Sequence, residues 1–151
     1  MVQGGELRRR MQAFEEALRR AGLKRTQQRI EIYREVARSE EHPDVETVCR
    51  RVRKRLPSVS TDTVYRVLWQ FVDLGLIATL GPARDRLRFD ANPDAHHHFV
   101  CVRCGMTRDF RSRELAALKV PTEARAFGRA NSTHAEVRGV CRKCGAGKRG
   151  T

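Results

Sequence analysis

The sequence predicts an α+β chain in two parts: four helices that run into a β-hairpin, then a smaller α/β unit held by metal-binding cysteines. Three observations predict it. Apolar residues recur at helical spacing in four successive segments before residue 76. Two short β-type runs follow, separated by the turn-forming stretch GPARD at 81–85. Beyond residue 91, two Cys-x-x-Cys pairs frame a segment too small to bury a sizeable core alone.

The first helix, over 6–21, sets Leu7, Met11, Phe14, Leu18 and Ala21 on one face with charges between them, and Gly22 ends it. Thr26 caps a second helix whose inner face is Ile30, Tyr33, Val36 and Ala37. The connector SEEHP (39–43) leads to Asp44, the cap of a third helix with Val45, Val48, Cys49, Val52 and Leu56 on its apolar face. Pro57-Ser58 breaks that helix; Cys49 reads as core, and the run RRVRKR (50–55) mostly as a solvated face. Ser60 caps the fourth helix, which buries Val64, Val67, Leu68, Phe71 and Val72. Thr61, Asp62, Tyr65, Arg66 and Trp69 point elsewhere, and Gly75 closes the helix in the left-handed conformation. LIATL (76–80) and RLRFD (86–90) then form the hairpin. Helices followed by a hairpin read as a winged helix-turn-helix domain over residues 1–90.

ANPDA (91–95) is a hinge, and residues 96–151 form the second, α/β domain. HHHFVC (96–101), MTRDF (106–110) and AEVRGVC (135–141) read as strands, with a short helix around SRELAALK (112–119). A unit of that size needs a metal or a partner subunit to hold it. The last residues, GAGKRGT (145–151), are expected to be disordered.

Lys and Arg outnumber Asp and Glu by 31 to 18, for a net charge of +13. That balance favours polyanions, nucleic acid first and an anionic membrane second. The excess is shared: residues 1–90 carry 19 basic and 13 acidic side chains, and residues 91–151 carry 12 and 5. Charge alone therefore does not locate a DNA surface. No run reaches the ~18 apolar residues of a membrane span, and the N-terminus lacks the apolar region of a signal peptide. The expectation is a cytoplasmic chain with reduced thiols, in which paired cysteines point to metal rather than to disulfides.

Cys101-x-x-Cys104 and Cys141-x-x-Cys144 are two knuckles, each followed by a glycine, Gly105 and Gly145. Two such pairs supply the four-thiolate tetrahedral shell of structural Zn(II). Disulfides or an iron–thiolate centre are the alternatives. A closed shell has no open position, so this zinc does not catalyse. If residues 96–100 form a strand, His96 and His98 share a face and His97 takes the other. The nearest carboxylates are Asp90 and Asp109, and His42 stands at the start of the third helix. Two or three histidines with two aspartates make a mixed nitrogen and oxygen shell that suits Fe(II), Mn(II) or Zn(II). A His-rich surface strand that binds nothing is the plain alternative, and His42 alone, before a proline, reads as solvated.

Taken together, the motifs LKRTQQRIEIY (23–33), EHPDVETV (41–48), VSTDTVYRVLWQFVDLGLI (59–77), RFD (88–90), HHHFVCVRCG (96–105) and GVCRKCG (139–145) resemble the ferric uptake regulator family of bacterial metal-dependent repressors. The likeness runs over nearly the whole chain. It implies a winged helix that reads a palindromic operator in double-stranded DNA and a C-terminal domain that makes a homodimer. It implies structural zinc on Cys101, Cys104, Cys141 and Cys144. It further implies a regulatory Fe(II) or Mn(II) site on His42, Asp90, His96, His98 and Asp109, spanning both domains and fixing the angle between paired recognition helices. Aspartate at both 90 and 109 matches the peroxide-sensing branch, where glutamate is typical of iron sensors. In that branch Fe(II) and hydrogen peroxide oxidise a ligand histidine, here His42 or His96, and DNA is released. An additional site common in the family is expected to be absent or degraded: Ala95 and His97 stand at two of its positions, and Thr133 or His134 at a third.

For DNA, Ser60, Thr61, Thr63 and Tyr65 lie near the N-terminus of the fourth helix, where free amides and short side chains can meet phosphates and base edges. Tyr65 can touch a thymine methyl and Arg66 a phosphate or guanine; Arg25 and Arg29 are further phosphate contacts. An ordinary solvated face is the alternative, and Trp69 is left open between packing and DNA.

Three other readings compete with this one. His134-Ala135-Glu136 ahead of Cys-x-x-Cys resembles a zinc deaminase signature, but its gap is short, it lacks the proline, and its cysteines belong to the knuckles. The expectation is not an enzyme. Peroxide could instead be sensed by oxidation of the four thiolates. An effector-independent, nucleic-acid-binding structural protein is the reading of another class; within the family, an iron-level or other divalent-metal sensor is the alternative.

Overall fold

Four helices and a hairpin build the first unit, Met1–Pro93, in a computed structural model that describes residues 1–81, 87–130 and 133–146. Helix α1 (Gly4–Arg20) starts two residues before the expected point and ends ahead of Gly22, whose φ is +65°. Phe14 from α1 stacks on Tyr33 of α2 (Gln27–Ala37) with ring centroids 4.5 Å apart, and both meet Phe71 edge-on at 5.5 and 5.7 Å. This aromatic triad ties α1 and α2 to α4 (Thr61–Asp73) at the centre of the apolar core. Arg10 is buried as well; its NH1 donates to the carbonyl of Ala37 at the end of α2 at 3.0 Å.

The expected inner face of α2 is buried, but so are Ile32, Glu31 and Glu35. The two carboxylates share NH1 of Arg55, 3.1 Å from each, and pair with Arg34 and Arg38. Helix α3 (Val45–Val52), capped by Asp44 through the amide of Thr47 at 2.8 Å, stops four residues before Leu56. The arginine run is mostly exposed, as expected, and its side chains also find partners. Arg55 serves the buried glutamates, and Arg53 donates to the Val59 carbonyl at 3.0 Å, closing the turn into α4.

Gly75 at φ +67° lets the amides of Leu76 and Ile77 fold back onto the carbonyl of Phe71. Those two residues close the helix, so strand β1 starts at Ala78 (Ala78–Leu80). It pairs antiparallel with β2 (Arg88–Asp90), Ala78 opposite Asp90 and Leu80 opposite Arg88. Gly81 has φ +96°; the rest of the expected turn and Arg86 lie outside the described residues.

The second unit, Asp94–Thr151, is a three-stranded sheet in the order β4-β3-β5. Strand β3 (His97–Cys101) runs antiparallel to β4 (Thr107–Phe110) and parallel to β5 (Glu136–Gly139). All three strands are shorter than expected. Helix α5 (Arg113–Ala116) covers half the predicted span, with Ser112 capping the amide of Leu115. Two short helices were not expected: α6 (Thr122–Arg125) and α7 (Arg142–Ala146). Gly145 and Ala146, expected to be disordered, end α7; residues 147–151 lie outside the described residues.

Candidate metal centre and nucleic-acid interface

The parallel pairing of β3 and β5 sets Cys101 opposite Gly139 and so brings the two knuckles to one end of the sheet. Gly105 at φ +68° turns the chain under the first pair. One donor atom from each of Cys101, Cys104, Cys141 and Cys144 lies within 4.8 Å of all the others. The Sγ atoms of Cys104 and Cys141 are 3.8 Å apart. Tetrahedral zinc with bonds of about 2.3 Å requires a sulfur–sulfur edge of about 3.8 Å, whereas a disulfide needs about 2.05 Å. Amides also point at the sulfurs: Cys141 N donates to Cys101 Sγ at 3.3 Å and Cys144 N to Cys141 Sγ at 3.5 Å. The Cys141 amide, then that of Cys104, pulls the Cys101 thiol down to about 6. Hydrogen bonding with the Cys104 and then the Cys141 thiol pushes Cys144 up to about 12. A thiolate is thus favoured at one corner and opposed at another, and a bound cation is what lets all four ionise. The cluster fits structural zinc.

A second constellation forms on β3 and β4. His98 stands opposite Asp109 in the ladder, and His96 precedes β3 on the same face. His96 Nε2 is 2.9 Å from His98 Nε2, and Asp109 Oδ1 lies 3.8 and 3.6 Å from those two atoms. His96 Nδ1 is 2.6 Å from the carbonyl of Asp94. A carbonyl only accepts, so Nδ1 carries the proton and Nε2 keeps its lone pair. Neighbouring ligands of an octahedral ion with bonds of about 2.1 Å stand about 3 Å apart, so the two Nε2 atoms fit one ion. His97 faces the other way, as the alternation predicts. Its Nδ1 accepts the amide of Ala135 at 3.1 Å, which places the proton on Nε2 and leaves a neutral ring no lone pair for metal. His134 approaches His98, ring centroids 6.0 Å apart.

In the first unit, His42 Nδ1 lies 3.5 Å from Asp90 Oδ1, which also accepts the amide of Asn92 at 2.8 Å. His42 has φ +48°, the left-handed conformation that side chains rarely adopt. The five residues expected to bind regulatory metal thus form a His–Asp pair in one unit and a His–His–Asp trio in the other. Sequence reasoning missed the Asp94 carbonyl that orients His96, and nothing in the residue type signals it.

The expected DNA face is divided. Tyr65 is 49% exposed and meets Trp69 edge-on at 6.1 Å. Arg66 is exposed and pairs with Asp62 at 3.0 Å; Arg25 pairs with Glu15 at 3.0 Å. Ser60 and Thr63 bond to one another in the cap, Thr63 N donating to Ser60 Oγ at 3.0 Å. The hydroxyl of Thr61 is engaged by Arg53 at 3.3 Å and by Cys49 Sγ at 3.5 Å. A cleft of about 290 Å³ lies between the start of α2 and α4, lined by Thr26, Gln28, Arg29, Thr63, Arg66 and Gln70 among others. Trp69 is half-buried, and its indole N–H finds no acceptor among the described residues.

A helix-and-hairpin unit followed by a thiolate-stapled sheet is the build of a metal-dependent transcriptional regulator. Residues 20–135 match the model of the Ferric uptake regulator family. The peroxide-responsive repressor PerR of Staphylococcus epidermidis is 32% identical over 130 residues, covering 85% of each chain. The chain belongs to the ferric uptake regulator family, whose members are dimeric DNA-binding regulators and not enzymes. Among solved structures, a zinc-bound manganese uptake regulator is 34% identical, with a TM-score of 0.65 over 84% of this chain and 97% of that one. The Helicobacter pylori ferric uptake regulator Fur, with three functional metal-binding sites of its own, shares the fold. Its TM-score is 0.74 at 21% identity, covering 96% of this chain and 97% of that one. No helix of the described residues is long and apolar enough to cross a membrane.

Proposed function

We propose that this regulator is a cytoplasmic, peroxide-responsive repressor that binds a palindromic operator as a homodimer. In this reading His42, Asp90, His96, His98 and Asp109 hold Fe(II) or Mn(II), and Cys101, Cys104, Cys141 and Cys144 hold zinc. The observation that carries it is the trio on β3 and β4, where two Nε2 atoms 2.9 Å apart face a carboxylate and His96 is fixed in the ligating tautomer. Aspartate at both 90 and 109, and the similarity to a peroxide-responsive repressor, support the effector. When bound, Fe(II) supplies the reduction of hydrogen peroxide that delivers oxygen to an adjacent imidazole. His42 and His96 are the oxidation-sensitive residues in this reading, and oxidation of either, by weakening a ligand, opens the site. Ser60, Thr61, Thr63, Tyr65 and Arg66, near the start of the recognition helix, meet DNA, and Arg25 is a further phosphate contact.

The test is peptide mass spectrometry on protein loaded anaerobically with Fe(II) and given equimolar hydrogen peroxide, beside a Mn(II)-loaded control. Oxygen added to the His42 or His96 peptide, with iron only, is the expected result. The second reading, a repressor that senses the level of iron or another divalent metal, is favoured by the likeness to the manganese uptake regulator. Unmodified histidines, together with Fe(II)-dependent DNA binding that survives peroxide, would establish that reading instead.

A further inference from the structure

Strand β2 does more than contribute Asp90. Its Arg88 stands opposite Leu80 in the hairpin, and on its other side it forms a backbone bridge with Asp44. The next amide, Phe89 N, donates to the carbonyl of Pro43 at 3.1 Å. The Arg88 side chain turns to the same segment, and its NH1 donates to the carbonyls of Glu41 at 3.2 Å and His42 at 3.3 Å. Residues 88 and 89 thus grip the backbone of 41–44 at four consecutive residues. Within that grip His42 sits at φ +48°, in the left-handed region that non-glycine residues seldom occupy.

We infer that Arg88 is the positioning residue that presets His42 for metal. The inference rests on the reading of His42 as a regulatory ligand. Along a strand, residues two apart share a face, so Arg88 and Asp90 lie on one side of β2. One strand then supplies both a ligand and the clamp that aims the other ligand, with His42 Nδ1 3.5 Å from Asp90 Oδ1. The sign of the effect separates this role from simple electrostatics. A guanidinium bonded to the His42 carbonyl repels a cation, so its charge alone opposes metal, and neutralising it would tighten binding. A positioning role predicts the opposite.

The experiment is Mn(II) titration of the zinc-loaded full chain, with Arg88→Met, Arg88→Lys, His42→Ala and the Arg88→Met/His42→Ala double variant. Arg88→Met is expected to weaken Mn(II) binding about 10- to 100-fold, as for other groups that orient metal ligands. Arg88→Lys, which keeps a donor, should recover part of the loss. In the His42→Ala background the effect of Arg88→Met should vanish, because its route to the metal is gone. Tighter or unchanged binding in Arg88→Met, while His42→Ala weakens it, would overturn the inference and leave the ligand reading intact. An equal loss in both backgrounds would also overturn it, assigning Arg88 a general role in the fold. If His42→Ala leaves Mn(II) binding unchanged, the ligand reading itself fails and this inference with it. Should Arg88→Met not fold, the smaller loss in Arg88→Lys and its disappearance beside His42→Ala carry the same test.

Discussion

In the first unit Phe14, Ile32, Val36, Val48, Leu68 and Phe71 are each no more than 1% exposed, around one continuous apolar core. In the second unit the buried residues among those described are His97, His98, Cys101, Thr107 and Cys141. Its larger apolar side chains stay outside: Val102, Leu118, Phe127, Val137 and Val140 are all more than 40% exposed. One half of the chain is organised by hydrophobic burial, the other by ligand-bearing side chains and a surface still to be covered. With these apolar side chains outside, the described residues of this unit bury little apolar area against the entropy of ordering them. Metal and a second copy of the chain are the remaining sources of stability, and a dimeric family provides the latter.

The contrast breaks most sharply at the zinc cluster. Binding structural zinc contributes on the order of 10 kcal/mol to the folding of small domains. Removing it with a chelator, or by Cys141→Ser, should unfold the second unit while the helices of the first persist. Far-UV circular dichroism and trypsin cleavage beyond residue 94 would read this, and strands that survive zinc loss would contradict the division. The converse change is Phe71→Ala, which opens the aromatic triad and should cost about 3–5 kcal/mol. The first unit would then melt earlier, with the zinc-to-protein ratio unchanged.

The smallest effect concerns acid. Hydrogen bonds from Arg9 and then Arg10 hold the Glu6 carboxyl at about 2, from an ordinary 4.5. A depressed carboxyl stabilises the fold above its unfolded value, so this contribution is full above pH 4.5 and is lost as pH falls toward 2. Glu6→Gln should flatten the acid decline of the first unit by about 1 kcal/mol, measured by urea unfolding across that window, and leave the second unit's response unaltered.

Periodicity made the four long helices legible, because each presents its apolar stripe over two turns or more. Ser60, Asp44 and Thr26 were legible as caps for the same local reason. Glu31, Glu35 and Arg10 were not: charged residues on a helix read as solvated until their partners are known. Arg55, 20 residues beyond Glu35, becomes one only when the chain turns back after α3. Helices α6 and α7 span four and five residues, too few to show a period. At the candidate site, the cysteine pairs and the alternation of His96, His97 and His98 were readable because residue type and spacing carry their chemistry. The Asp94 carbonyl and the Arg88 clamp were not, since backbone acceptors look alike in every residue. The contacts of the Thr61 hydroxyl with Arg53 and Cys49 were equally illegible, since both partners lie on the preceding helix or just beyond its end.

Trp69 is the chain's one tryptophan. It lies on α4, one turn after the exposed Tyr65, with its ring half-buried and its indole N–H shielded. Indole emission from the whole molecule therefore originates on α4. The protein carries a native optical reporter on α4, and changes in its wavelength or intensity can be followed on unlabelled protein in real time.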